Sequence, residues 1–254
     1  MTELLKDKNI LIMGVANKWS IAWGIAESCA KAGARLIFTY QGERTESSVR
    51  QLIGDMPDVS LYPCDVTKDE EITELFDHIR NEYGILHGVV HCMAFAKKEE
   101  LEGRYFNTSR EGYLLAQNIS SYSLVAVTRS AKELMTDGGS IVTLTYLGGQ
   151  RVVPNYNVMG VAKAALDASV RYLAADLGID KIRVNSISAG PIKTVAAKGV
   201  KNFSSLLKQY EEKTPLGTIT QEEVGDTALF LLSNLSRGIT GENIHVDGGY
   251  HILG

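Results

Sequence analysis

The chain has 254 residues, 44% of them hydrophobic, with 26 basic against 30 acidic side chains and a formal charge of −4. That length suits one large domain with a substantial core, and that composition excludes a disordered chain. The slight negative charge leaves no electrostatic footprint for nucleic acid, and no apolar run approaches the ~20 residues that a membrane-spanning helix needs. The first ten residues, MTELLKDKNI, are charged throughout and lack the apolar centre of a signal peptide. Cys29, Cys64 and Cys92 are odd in number and widely spaced, which predicts reduced thiols in a cytoplasmic protein. The five histidines show no zinc-type grouping, so no metal site is expected.

Short apolar runs alternate with amphipathic stretches along the chain. Residues 9–13 read as a strand buried on both faces, closed by Gly14. Apolar positions then recur at helical spacing over 20–32, and Gly33 stands where a helix C-terminus favours glycine. A strand over 35–40, a helix over 43–53 and a strand over 59–63 follow. Thr67 and Glu70 have the spacing of a capping box ahead of the next helix. Residues 86–91 make a fourth strand, and one long helical pattern runs over 109–135. A fifth strand is predicted over 140–145, a helix from about Tyr156 to Leu177, and a sixth strand over 183–188. Thr220 and Glu223 form a second capping box, whose helix reaches about Ser233, and residues 243–246 are the last strand. Strands separated by helices are repeated βαβ units. The predicted class is α/β: a single Rossmann-type doubly wound domain over 1–254, with a seven-stranded, mainly parallel sheet and helices on both faces.

Two features carry chemistry. Tyr156 and Lys163 lie seven residues apart, close to two helical turns, so both project from one face of the predicted helix. A phenol donates a proton, and an ammonium beside it lowers the cost of the phenolate that remains. The second feature is the glycine turn GVANKWSIAWG, residues 14–24, between the first strand and the first helix. A dinucleotide pyrophosphate rests on free backbone N–H groups at such a place, although the glycines do not follow GxGxxG. Two stretches without periodicity, 93–107 and 190–202, both follow parallel strands, where ligands bind in open α/β sheets.

The 14–24 turn, Tyr146 ten residues before Tyr156, Lys163, AGPIKT at 189–194 and the C-terminal GENIHVDGGYHILG together resemble one family. It is the bacterial enoyl-acyl-carrier-protein reductases of type II fatty-acid synthesis, a divergent branch of the short-chain dehydrogenase/reductases. The resemblance spans essentially the whole chain. An ordinary short-chain dehydrogenase would carry TGxxxGxG in the turn and a catalytic serine about a dozen residues before the tyrosine; here Thr143 and Leu144 occupy that region. The resemblance implies NADH-dependent reduction of the trans-2 double bond of enoyl thioesters, the last step of the elongation cycle, with Tyr146, Tyr156 and Lys163 catalytic. It further implies that Gly14, Ser20 and Ile21 hold the pyrophosphate, and that Gln41 faces the adenosine ribose. Asp65 and Val66 would bracket the adenine, and Met93 and Lys163 would take the nicotinamide ribose. Ile192, Lys193, Thr194, Val195 and Ala196 would close over the nicotinamide. Ala96, Tyr146 and Tyr156 would meet the substrate, beneath a substrate-binding loop near 190–208. The partners implied are an acyl carrier protein bearing the substrate and three further copies of the chain in a homotetramer.

After the second strand, a neutral Gln41 with Glu43 leans toward NADH, while Arg44 keeps NADPH in play. Two readings compete: another short-chain reductase, such as a β-ketoacyl reductase, or a non-enzymatic dinucleotide sensor on the same fold. An acidic carrier needs local positive charge. Lys198, Lys201 and Lys208 provide it at the predicted pocket mouth, and Lys201 matches a carrier-contact position of the family. Ser204 and Ser205 stand where relatives can carry further basic residues. Lys201→Glu is expected to raise KM for a carrier-bound enoyl substrate and to leave KM for the coenzyme A thioester nearly unchanged. Equal effects on the two substrates would remove the docking role.

Overall fold

In the computed structural model, which describes residues 3–54, 56–192 and 203–253, the apolar runs become strands. These are β1 (Asn9–Met13), β2 (Arg35–Tyr40), β3 (Val59–Pro63), β4 (Gly88–His91), β5 (Gly139–Thr145), β6 (Ile182–Ala189) and β7 (Asn243–Val246). They form one sheet in the order β3-β2-β1-β4-β5-β6-β7, and every neighbouring pair is parallel. Strand order reverses between β1 and β4, which opens the crevice above their carboxyl ends. The helices are α1 (Ile21–Lys31), α2 (Glu43–Ile53), α3 (Asp69–Tyr83), α4 (Arg110–Gln117), α5 (Ser123–Lys132), α6 (Asn157–Leu177), α7 (Phe203–Lys213) and α8 (Gln221–Leu232).

β1 is buried at every position, as a central strand of a parallel sheet must be. Its side chains alternate between two cores. Leu11 and Met13 pack with Phe76, Leu124, Leu166 and Val170 on one face, and Ile10 and Ile12 pack with Trp23, Ile25, Val224 and Leu231 on the other. The sheet is therefore covered by helices on both sides.

Local expectations fared unevenly. The Thr220–Glu223 capping box is present in both halves. The Thr67–Glu70 box is not: α3 begins at Asp69, and its N-cap Lys68 makes no side-chain cap bond. Thr67 is engaged elsewhere, donating its backbone N–H (3.0 Å) and hydroxyl (2.7 Å) to Asp65 Oδ1. The single helix expected over 109–135 is interrupted by a π-helical turn, Asn118–Tyr122, between α4 and α5. Ser120 in that turn reaches the loop behind β4, and Ser123, the first residue of α5, reaches His91 on β4.

α1 and α8 touch through glycines. A Cβ on Gly24 would stand 2.6 Å from the carbonyl oxygen of Gln221, and one on Gly225 would stand 2.7 Å from that of Gly24. Gly24 therefore serves close helix packing. Gly24→Ala is expected to lower unfolding free energy by about 1–3 kcal/mol, measured by urea denaturation, because backbone rather than a flexible side chain must move. An unchanged midpoint would show that the helices separate without cost.

Candidate active site

Gly14 turns the chain out of β1 with φ 91°, and a Cβ there would lie 2.2 Å from the carbonyl oxygen of Cys92 at the end of β4. Only glycine lets the two strand ends approach so closely. Ser20 Oγ accepts from the backbone N–H groups of Ala16 and Asn17, each at 3.1 Å, and so shapes the turn. Ser20 is also the N-cap of α1, whose first turn has no acidic residue. The N–H groups of Ile21 and Ala22 therefore lack intrahelical acceptors beside the positive end of the helix dipole. A glycine-lined cradle with free donors at the strand-order reversal fits a dinucleotide pyrophosphate.

Asp65, expected on the adenosine side, sits in a network of hydrogen bonds. Desolvation opposes ionisation of its carboxyl, but hydrogen bonds from Thr67 and Gln41 and the charge of Lys68 outweigh it and hold the group below the usual carboxylate range. Glu71 Oε2 accepts from Asp65 N at 2.7 Å. Gln41 is exposed beside it, and Val66 is buried. Met93 and Ile192 are half-buried and pack against the two cores. Lys193, Thr194, Val195 and Ala196 lie outside the described residues, as do Lys198, Gly199 and Lys201 of the expected loop; Lys208 is exposed on α7.

Tyr146 follows β5, and Tyr156 is the N-cap of α6. Their rings meet edge to face, with centroids 5.0 Å apart at 75°. Ala96 and Tyr156 pack together on Leu101, Ala116, Val158 and Met159. Burial pushes the Tyr146 phenol up to about 12. It pushes Tyr156 higher still, with Tyr146 and Asp167 adding to the effect. Both phenols are therefore neutral hydrogen-bond donors at physiological pH.

Lys163 is only 5% exposed, and Nζ donates to the carbonyl oxygen of Leu144 at 2.7 Å. The expected relation between the two groups needs correction. Tyr156 stands just outside α6, ahead of Asn157 with φ 38°, and Lys163 lies within the helix; the ammonium is tied to the end of β5, and burial, Tyr146 and Asp167 are what act on the phenol. Burial lowers Lys163 to about 8, against the pull of Cys92 and Asp167. One of its three protons meets Leu144, so donors remain for hydroxyls in the crevice.

The sequence reading missed Asp167, which is 8% exposed and one turn beyond Lys163 on α6. Its carboxyl is raised by burial, partly offset by Thr145, Lys163 and Arg171. The i, i+4 spacing from Lys163 was the available signal. Thr143 is fully buried, donates to the carbonyl oxygen of His91 and bonds His91 Nδ1, both at 3.0 Å. It is a core residue. Burial and the Lys163 charge depress His91 to about 3, so its ring is neutral. Among the described residues, no three histidines, cysteines or carboxylates converge as a metal site would require.

A family model described as "Enoyl-(Acyl carrier protein) reductase" matches residues 14–251. The chain belongs to this family. The reductase is 65% identical over 255 residues to the enoyl-[acyl-carrier-protein] reductase [NADH] of Bacillus subtilis, covering 99% of each chain. It is 55% identical to the [NADPH] reductase of Staphylococcus aureus, covering 98% of each. The crystal structure of the Bacillus cereus enoyl-acyl carrier protein reductase with NADP+ and indole naphthyridinone superposes with TM-score 0.97 at 62% identity, covering 99% of each chain. That of the Aquifex aeolicus NADH reductase superposes with TM-score 0.95 at 49% identity, again covering 99% of each. The reductase is thus an NAD(P)H-dependent oxidoreductase. The NADH preference read from Gln41 and Glu43 agrees with the cofactor in the names of the Bacillus subtilis reductase and of a Bacillus cereus enoyl-[acyl-carrier-protein] reductase [NADH] that is 63% identical.

A lysine held near 8 is protonated below that pH and loses its charge above it. Because kcat/KM reports the free enzyme, kcat/KM for NADH is expected to be flat below about pH 8 and to fall above it. In Lys163→Arg, whose guanidinium stays charged, the limb is expected to disappear. A limb that persists in the arginine variant would assign it to another group.

Proposed function

We propose that Tyr156, Tyr146 and Lys163 divide the work of enoyl thioester reduction in the crevice above β1, β4 and β5. The observation that carries this reading is the pair of neutral phenols edge to face at the head of α6, with a buried ammonium two turns along the same helix. A bound reduced nicotinamide supplies hydride to the β-carbon of the substrate. Negative charge then develops on the thioester carbonyl oxygen, and stabilising that charge is the main electrostatic task of the site. Tyr156 donates a hydrogen bond to that oxygen, and the α-carbon then takes one proton, from the Tyr156 hydroxyl or from water, which completes the reduction. Tyr146 braces the Tyr156 ring and orients the thioester. Lys163 holds the nicotinamide ribose hydroxyls with the donors left free by Leu144. Gly14, Ser20 and Ile21 carry the pyrophosphate, Gln41 faces the adenosine ribose, Asp65 and Val66 bracket the adenine, and Met93 and Ile192 flank the nicotinamide end. Lys193, Thr194, Val195 and Ala196 complete that end in this reading. Ala96 is a wall of the acyl slot.

In the same reading the chain is one reductase domain with a substrate loop at 190–208, serving an acyl carrier protein in the cytoplasm. The described cysteines are all free thiols, and among the described residues no helix is long and apolar enough to cross a membrane. A homotetramer is supported by Tyr113, Leu114, Tyr122 and Tyr172, which remain exposed on α4, the π-turn and α6.

Absorbance decay of NADH with crotonyl thioester, then with acetoacetyl thioester, tests the reading. The expected result is turnover of the first only, with a lower KM for NADH than for NADPH. Tyr156→Phe is expected to lower kcat by about 10²–10³-fold, the cost of one oxyanion donor. Turnover of acetoacetyl thioester would make the chain a different short-chain reductase, and turnover of neither would favour a dinucleotide sensor.

A further inference from the structure

The π-helical turn Asn118–Tyr122 presents Ser120 inward, at 0% exposure. Its Oγ accepts from the backbone N–H of Phe95 at 2.9 Å and lies 3.2 Å from the carbonyl oxygen of the same residue. It also lies 3.6 Å from Met159 Sδ. The hydroxyl has one proton, and the carbonyl is the stronger acceptor, so Ser120 binds both backbone groups of one peptide residue. Phe95 is 49% exposed, so core packing does not fix the chain there. The next residue, Ala96, packs with Tyr156 on Leu101, Ala116, Val158 and Met159. Met159 stands three residues after Tyr156, so one serine side chain touches both the loop behind β4 and the first turn of α6.

The same turn places Ser123. Its Oγ donates to the carbonyl oxygen of Ile119 at 2.6 Å and meets His91 Nε2 at 2.8 Å. His91 ends β4, and Phe95 lies four residues beyond it. The extra residue of a π-turn shifts the helix face that follows by roughly 100° relative to an unbroken α-helix. A regular helix through 109–132 could not direct Ser120 at Phe95 while α4 and α5 both keep their present faces. π-turns persist mostly where function retains them, and here the turn fastens two points on the segment that leaves β4 for the substrate pocket.

We propose that Ser120 is a positioning residue for the acyl substrate: it clamps the backbone of Phe95 and thereby sets where the next residue, Ala96, stands on the cluster that also carries Tyr156. It touches neither the thioester nor the nicotinamide. Its effect falls on the width of the slot that holds the enoyl chain. The inference rests on the reading above that Ala96 lines that slot.

Steady-state kinetics with crotonyl coenzyme A and NADH on the full chain test it, with Ala96→Leu as the control for the slot itself. Ser120→Ala is expected to raise KM for crotonyl coenzyme A about tenfold, the worth of one hydrogen bond, while KM for NADH stays within roughly twofold of the parent enzyme. Ala96→Leu is expected to raise the same substrate KM by crowding the slot. If Ala96→Leu raises it and Ser120→Ala does not, the clamp is refuted and the slot reading survives. If neither changes it, Ala96 does not line the slot and both ideas fall. Equal increases in the two Michaelis constants of Ser120→Ala would mark a general structural role and overturn the proposal. Should the alanine variant not fold, amide exchange of Phe95 in the native protein decides. The clamp predicts strong protection at this residue despite its exposure, and exchange as fast as an exposed loop amide would refute it.

Discussion

The site depends on one buried ammonium. Removing a lysine charge from water costs several kcal/mol unless partners replace the solvent, and here the direct partner is a single main-chain carbonyl, Leu144 O, at the end of β5. That bond requires α6 to lie against the carboxyl end of the sheet. The chain permits it through Gly148, Gly149 and Gly160. A Cβ on Gly148 would come within 2.4 Å of the Tyr156 ring, one on Gly149 within 3.0 Å of the Lys163 carbonyl carbon, and one on Gly160 within 2.8 Å of the Gly148 carbonyl oxygen. The turn after β5 thus lies directly on the first two turns of α6. Tyr146, the residue before that turn, and Tyr156, at the head of the helix, are brought edge to face by the same contact.

This arrangement assigns different protonation states to neighbouring groups. The phenols are kept neutral by burial, and the ammonium is depressed toward neutrality yet remains charged at pH 7. A neutral donor suits an oxygen that gains charge only as hydride arrives, because it stabilises the product of that step more than the reactant. A cation close to its titration point responds strongly to anionic groups entering the crevice, which restore its charge. Asp167 has the same sense before anything binds, since its carboxylate favours the charged form of Lys163.

How far the sequence discloses this varies with the range of the interaction. Strands buried on both faces were legible because a central parallel strand such as β1 is an unbroken apolar run after its first residue, Asn9. The helix that carries Lys163 was legible from its apolar spacing, and α6 begins one residue after Tyr156. What stayed hidden depends on partners distant in the chain. Thr67 looks like a helix cap until Asp65 takes its hydroxyl. Lys163 looks like the phenol's neighbour until the Leu144 carbonyl is seen to hold it. The pattern over 109–135 reads as one helix because apolar spacing tolerates one inserted residue, and only Phe95 and His91 reveal why the π-turn is there. The two glycines of YLGGQ read as a flexible turn, and their role as spacers between β5 and α6 needs the packed structure.

The central claim is that the cation held at Leu144 anchors the dinucleotide. Calorimetric titration of NADH into the parent protein and into Lys163→Met tests it most directly. The account predicts binding weakened about ten- to hundredfold, the worth of charge-assisted hydrogen bonds, in a variant that still folds but with a lower Tm, because the Leu144 carbonyl and the buried Asp167 carboxyl lose their cationic partner. NADH affinity unchanged in a folded Lys163→Met protein would contradict it.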